Sequence, residues 1–132
     1  MNSTLEKYIE ELKEDTKIDS FNLKDVQMSL PSIKHKWAGR LIRTKQDLAR
    51  LESERRKKRD SLVKKLQDQS PVVLSEAAAC KTIECSQFMT DIDEDIKECK
   101  LIIELLDETK KTLSSMTFDI KNIVDIIKLE TT

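Results

Sequence analysis

The stretch from residue 32 to residue 67 constrains the fold of this chain more than any other feature. It contains no proline and a single glycine, Gly39, which a helix tolerates. At 1.5 Å per residue, a helix of about 36 residues is roughly 54 Å long and exceeds the width of a small domain. The whole chain has one Gly and two Pro. We therefore expect an all-α fold of long amphipathic helices, in which this helix protrudes or runs along neighbours.

Helix signals occur on both sides of this stretch. Ser3 and Glu6 have the spacing of a capping box, which starts a first helix. Pro31 fits the first turn of the long helix and leaves a short separate element before it. After a break at residues 68–71, we expect a helix over residues 74–88 and further helices to the C-terminus. These signals divide the chain into residues 1–67, with the N-terminal helices and the basic helix, and residues 72–132, an acidic helical region, within one structural unit.

The net charge of −1 conceals a strong local imbalance. Residues 34–65 hold 13 Lys/Arg and four Asp/Glu, a local charge of +9, while the rest of the chain holds 11 Lys/Arg and 21 Asp/Glu, a charge of −10. The alternative to a binding surface is a solvated helix face laced with i,i+4 ion pairs. Acids within this segment are too few for that, so we expect its cations to contact the phosphates of a nucleic acid.

Base-specific recognition is not expected, because the basic helix has few Asn or Gln side chains and one aromatic residue, Trp37. We interpret Trp37 as an apolar anchor between helices, with stacking on an unpaired base as the alternative. His35 is expected at the surface or on a phosphate. The candidate DNA contacts are ten cations of this helix: Lys36, Arg40, Arg43, Arg55, Arg56, Lys57, Lys58, Arg59, Lys64 and Lys65.

Aliphatic residues continue at helical spacing through the second half of the chain. They can form an intramolecular core or an oligomer contact, and the scarcity of aromatics together with the heptad period favours self-association. The candidate interface residues are Ile103, Leu106, Leu113, Ile120, Ile123, Val124 and Ile127.

Nothing in the sequence indicates catalysis, a cofactor or a metal. Cys80, Cys85 and Cys99 lack the fourth ligand and the short spacings of a zinc site. The acids at residues 91–95 lack the glycine of a calcium loop and are expected in the first turn of a helix. One histidine and no nucleophile–base pairing predict a protein that is not an enzyme. No run approaches the roughly 18 apolar residues of a membrane span, so we expect a soluble intracellular protein with reduced thiols.

Several short motifs, taken in order, resemble a known family. They comprise residues 18–20 (Ile-Asp-Ser), Leu23, the Lys36–Trp37 pair, the Leu51–Glu52 pair, the basic run, and a C-terminal pattern with Phe118, Ile120, Lys121, Ile123, Asp125 and Glu130. Their order and spacing are similar to those of UvsY, the recombination mediator family of T-even-type bacteriophages.

The resemblance implies a helical protein that forms a hexameric or heptameric ring through its C-terminal region and binds single-stranded DNA without sequence preference. It also implies a role in loading a UvsX-like recombinase onto DNA covered by the phage single-strand-binding protein, in the cytoplasm of the infected bacterial host. The family's DNA-contacting motif is of a Leu-basic-x-basic-Leu type, and its nearest match is residues 62–66. This match makes Lys64 and Lys65 candidates, with the cations of residues 55–59 as alternative carriers. A helical structural or chaperone protein of a virus, with a basic protein-binding helix, is the competing hypothesis.

Overall fold

The computed structural model describes residues 3–131 and is helical throughout its regular parts. Over these residues the chain forms four helices: α1 (Ser3–Asp15), α2 (Leu23–Gln69), α3 (Glu76–Glu84) and α4 (Gln87–Thr131). The prediction of an all-α fold with long helices is confirmed, since α2 has 47 residues and α4 has 45.

Pro31 lies inside α2, so the prediction of a separate short element before it is wrong. Proline removes one backbone hydrogen bond and crowds the preceding turn. Val26 and Leu30, in the turns around it, are nevertheless both buried in the hydrophobic core, whereas Pro31 itself is exposed. Burial of these side chains offsets the lost hydrogen bond, and the helix continues through the proline.

The helix predicted over residues 74–88 is divided in two at Cys85 and Ser86. Ser75 caps α3 by accepting a hydrogen bond from the amide of Ala78. Ser86 immediately precedes α4, and its carbonyl accepts a hydrogen bond from the amide of Thr90 at 3.1 Å. Because α4 starts at Gln87, the acids at residues 91–95 lie beyond its first turn, and their predicted place in that turn is wrong.

The contacts within the chain form two compact units. The first unit consists of residues 1–43, as far as they are described, together with the stretch from residue 101 onwards. Its core joins α1, the N-terminal part of α2 and the C-terminal part of α4, and includes Val26, Trp37, Leu106, Leu113 and Ile120.

The second unit is the continuous segment of residues 44–100. Its core is smaller: Met89, Ile92 and Ile96 of α4 pack with the half-buried Leu48, Leu51 and Leu62 of α2 and Ile83 of α3. These units do not coincide with the predicted division near residues 68–71, because α2 and α4 each contribute residues to both. The boundaries between the two units therefore lie within α2 and α4 and not in the segments that connect the helices.

Candidate nucleic-acid interface

Five of the predicted cations lie exposed in the second unit, on α2. We call them the exposed cations, and they are Arg56, Lys57, Lys58, Lys64 and Lys65. In the part of the chain that the structure describes, none of them is paired with a carboxylate. Their charge is therefore available to a ligand.

Helical spacing arranges four of these cations as two pairs. Lys57 and Lys64, and likewise Lys58 and Lys65, are seven residues apart, so each pair lies on one side of α2 about 10.5 Å apart along the axis. Between them, Leu62 packs into the core of the unit and Val63 is buried. The Leu62–Leu66 motif thus divides its side chains between the core and the solvent, with both lysines on the solvent side.

Arg55 is held by two acids from other helices. Its Nε donates to Asp93 Oδ1 of α4 at 2.6 Å, and its Nη2 donates to Glu84 Oε2 of α3 at 2.5 Å. The hydrogen bond to Asp93 has the larger effect and, together with that to Glu84, raises the pKa of Arg55 above its ordinary value. Arg55 in turn lowers the pKa of Asp93. Arg55 ties the three helices of the unit together and is not oriented toward solvent as the exposed cations are.

Arg59 is held more loosely than Arg55. Its guanidinium lies 3.8 Å from Glu84 and 3.4 Å from Asp60, and its buried Nε has no hydrogen-bond partner in the structure. The guanidinium of Arg59 therefore loses fewer hydrogen bonds than that of Arg55 when it turns away from these acids.

A cleft of about 380 Å³ lies between α2 and α4 in this unit. Three of its cations are predicted site residues of α2, and the fourth, Lys100, comes from α4 and was not predicted from the sequence. The lining residues are Glu52, Arg55, Arg56, Arg59, Asp93, Ile96 and Lys100.

Lys36 and Arg40, in the first unit, are engaged with carboxylates of α1. Lys36 Nζ lies 2.6 Å from Asp15 Oδ2 and 2.9 Å from Glu11 Oε1, and Arg40 Nη1 lies 2.6 Å from Glu11 Oε2. Hydrogen bonds from Arg40 and Lys36 lower the pKa of Glu11. Burial alone would lower the pKa of Lys36, but the hydrogen bonds to Asp15 and Glu11 raise it. The structure thus places these two predicted DNA contacts in a structural network.

Trp37 completes this network and is an anchor between helices, as predicted. Its side chain is 2% exposed, its ring meets that of Tyr8 edge-to-face at 5.4 Å, and its indole N–H donates to Asp15 at 2.8 Å. The guanidinium of Arg40 lies 4.6 Å from the Trp37 ring centre. A side chain enclosed in this way has no face left for a DNA base.

The remaining sequence candidate in the first unit, Arg43, is exposed. Arg43 forms no ion pair with the described residues, and His35 is likewise at the surface, as expected.

The sequence profile of one protein family matches most of the chain. Described as "Recombination, repair and ssDNA binding protein UvsY", it matches residues 11–132. The chain belongs to the UvsY family. The resemblance that the sequence motifs indicated is thereby confirmed. No curated protein sequence matches the chain significantly.

Solved structures of a bacteriophage T4 protein share the fold of this UvsY-family chain. The crystal structure of the T4 recombination mediator protein UvsY in lattice type IV is 20% identical, covers 97% of this chain and 99% of its own, and has a TM-score of 0.80. Lattice type II gives 20% identity, 99% and 100% coverage and a TM-score of 0.75. Lattice type III gives 22% identity, 98% and 100% coverage and a TM-score of 0.69.

The predicted oligomer residues of this UvsY-family chain are distributed between core and surface. Leu106, Leu113 and Ile120 are buried in the core of the first unit, which is the intramolecular alternative that the sequence left open. Ile103 and Val124 are partly buried against the same core, and Ile123 and Ile127 are half-buried.

A second apolar set on α4 was not predicted. Phe118, Ile126 and Leu129 are 69%, 54% and 76% exposed, and their spacing of eight and three residues places them on one side of the helix, away from Leu113 and Ile120. Sequence reasoning missed them because a helix with apolar residues on two sides does not show which side the rest of the chain covers.

The described residues contain neither a group of three metal-ligating side chains close enough to hold an ion nor a helix long and apolar enough to cross a membrane. The three cysteines are free thiols, and burial, with help from Asp47 and Glu98, raises the pKa of Cys99.

Proposed function

We propose that this UvsY-family chain is a recombination mediator that binds single-stranded DNA without sequence preference through the exposed cations of α2. The observation that carries the proposal is that Arg56, Lys57, Lys58, Lys64 and Lys65 have no carboxylate partner among residues 3–131, although the chain contains 25 acids. Cations that interact with no acid keep their full attraction for phosphates and release counterions when a strand binds. The family description, which names ssDNA binding, supports the same reading.

Not all ten sequence candidates belong in this site. Lys36 and Arg40 stabilise the contact of α1 with α2, and Arg55 holds α3 and α4 against α2, so we leave these three out. Arg59 and Lys100 line the cleft beside the exposed cations and extend the proposed surface. Arg43 remains an additional candidate.

Fluorescence anisotropy with a labelled oligo-dT strand tests the proposal. The test variant changes Arg56, Lys57, Lys64 and Lys65 to Ala. Affinity of the unaltered chain should fall linearly on a log–log salt plot, and the variant should lose about 2.8 units of that slope, since each single-strand phosphate contact contributes about 0.7.

The matched control changes Lys97, Lys110, Lys121 and Lys128 to Ala. These lysines are exposed on α4 and the substitution alters net charge by the same amount. Equal losses in test and control would show that only overall charge matters and would contradict the assigned site. No binding by the unaltered chain at low salt would refute the function and favour the protein-binding alternative.

We further propose that the chain assembles into a hexameric or heptameric ring through α4. Phe118, Ile126 and Leu129 are the preferred contacts, because they are exposed and are not covered by the core of the first unit. The half-buried Ile123 and Ile127 lie nearer to the core side of the helix and are secondary candidates. Phe118→Glu with Leu129→Glu should yield monomers in sedimentation velocity. Thr117→Glu with Lys128→Gln, which alters net charge equally at exposed positions on another side of α4, should leave the oligomer intact.

In this proposal the ring loads a UvsX-like recombinase onto DNA covered by the phage single-strand-binding protein, in the cytoplasm of the infected host. Many weak phosphate contacts multiplied by symmetry would hold a strand tightly yet reversibly, as such a handover requires. Recombinase ATPase activity on protein-covered single strands should rise when the chain is added, and the four-alanine variant should abolish that rise.

A further inference from the structure

The second unit has one aromatic residue, Phe88, and its ring lies beside the proposed phosphate contacts. Lys58 Nζ of α2 is positioned over the ring at 5.9 Å from its centre. The two residues are far apart in the sequence and are brought together by the packing of α4 on α2. A basic helix that carries no aromatic of its own in this region thus acquires one from its neighbour.

We propose that Phe88 stacks on an unpaired base of a strand whose phosphates are held by Lys58 and the other exposed cations. This assignment rests on the proposed function and names the residue that makes the site select unpaired DNA. Cations alone attract the backbones of single and double strands alike. Preference for a single strand requires a group that uses the exposed face of a base, and an aromatic ring is that group.

The burial of Phe88 agrees with a ligand contact better than with a core role. Its side chain is 38% exposed, whereas the adjacent Met89 is fully buried. The core of the second unit is built on Met89, Ile92 and Ile96, and Phe88 is not among the residues packed against it. A large apolar ring that the core leaves half in solvent, with a lysine over it, is suited to a ligand that is both aromatic and anionic.

The experiment measures binding of the full chain to three ligands of equal length: oligo-dT, the same backbone with abasic sites, and a duplex. Phe88→Leu keeps an apolar side chain of similar size, so the fold should be retained. We expect this variant to lose roughly tenfold in affinity for oligo-dT and to bind the abasic strand and the duplex unchanged. Phe88→Trp, which restores an aromatic face, should bind oligo-dT at least as tightly as the unaltered chain.

Phe21→Leu is the matched control, because Phe21 is an exposed phenylalanine in the other unit and has no part in either proposed binding surface. It should leave the ratio of oligo-dT to abasic affinity unchanged. If Phe88→Leu also leaves that ratio unchanged while the unaltered chain binds oligo-dT, the stacking role is overturned and the phosphate contacts stand. If the unaltered chain binds none of the ligands, both proposals fall together.

Discussion

Two groups of cations on α2 behave differently, although both come from the same basic stretch. In the first unit, Lys36 and Arg40 are part of a network with Glu11, Asp15 and Trp37. In the second unit, the exposed cations extend into solvent beside a cleft. The difference is one of neighbours. The acidic helix α1 presents two carboxylates to the first group, whereas the described acids of α3 and α4 reach Arg55 and Arg59 and none of the exposed cations. Residue type on its own therefore does not identify a DNA contact.

The largest predicted effect comes from removing the Trp37 side chain, which anchors the network of Lys36 and Arg40. Trp37→Ala should lower the free energy of unfolding by about 3–5 kcal/mol, because it leaves a cavity in the core and frees Asp15 from one donor. Urea denaturation followed by circular dichroism measures the change. Ile42→Ala, at an exposed position of the same helix, should change stability little. Similar losses in both variants would show that Trp37 is not the anchor of the network.

The second prediction compares the same pair of substitutions in each of the two groups of cations. Lys36→Met with Arg40→Met should lower the free energy of unfolding by about 1–3 kcal/mol, since both α1 carboxylates lose charged partners, and should leave the DNA salt slope unchanged. Lys57→Met with Lys64→Met should leave stability unchanged and lower the slope by about 1.4. Equal effects of the two variants on DNA affinity would remove the distinction between the groups.

A third, smaller effect concerns Gly39, which lies next to Arg40 on α2. Gly39→Ala should raise the free energy of unfolding by up to about 1 kcal/mol, because alanine has the higher helix propensity and a side chain here would meet nothing within 4 Å. DNA affinity should not change, since Gly39 is not in the unit that holds the exposed cations. Destabilisation would mean that α2 needs flexibility at this position.

The smallest predicted effect is a dependence of stability on pH. Glu11 in one unit and Asp93 in the other have pKa values lowered by their cationic partners. The stabilisation is therefore fully present above their ordinary pKa values of 4.5 and 3.8 and is lost as the pH falls through the lowered values. Urea midpoints should fall from about pH 5 downwards. The decline should be shallower in Glu11→Gln with Asp93→Asn, and an unchanged decline would show that other groups cause it.

Much of the fold follows from the local sequence, but the continuation of α2 through Pro31 and the break between α3 and α4 do not. The scarcity of Gly and Pro predicts long helices, and these are present. The continuation of α2 through Pro31 depends on burial of Val26 and Leu30 by other helices, which outweighs the local preference of proline. The break at Cys85 and Ser86 has neither a glycine nor a proline to signal it.

The candidate site was predictable as a region and not as a set of residues. The excess of cations on one helix is visible in the sequence, and so is a lysine pair in the Leu62–Leu66 motif. Which cations are paired depends on contacts with helices that are distant in the sequence, such as Arg55 with Asp93. The proximity of Phe88 to Lys58 and the presence of Lys100 in the cleft have the same long-range origin.

The discontinuity of the first unit has a consequence for how the chain folds during synthesis. Residues 44–100 form one uninterrupted segment, so their core is complete in sequence before residue 101 leaves the ribosome. Val26, Leu30 and Trp37, by contrast, are covered by residues 102–120, which are made much later. Contacts between such distant segments form slowly, because a long loop must close first. We therefore expect the N-terminal third of the chain, although synthesised first, to reach its final packing last.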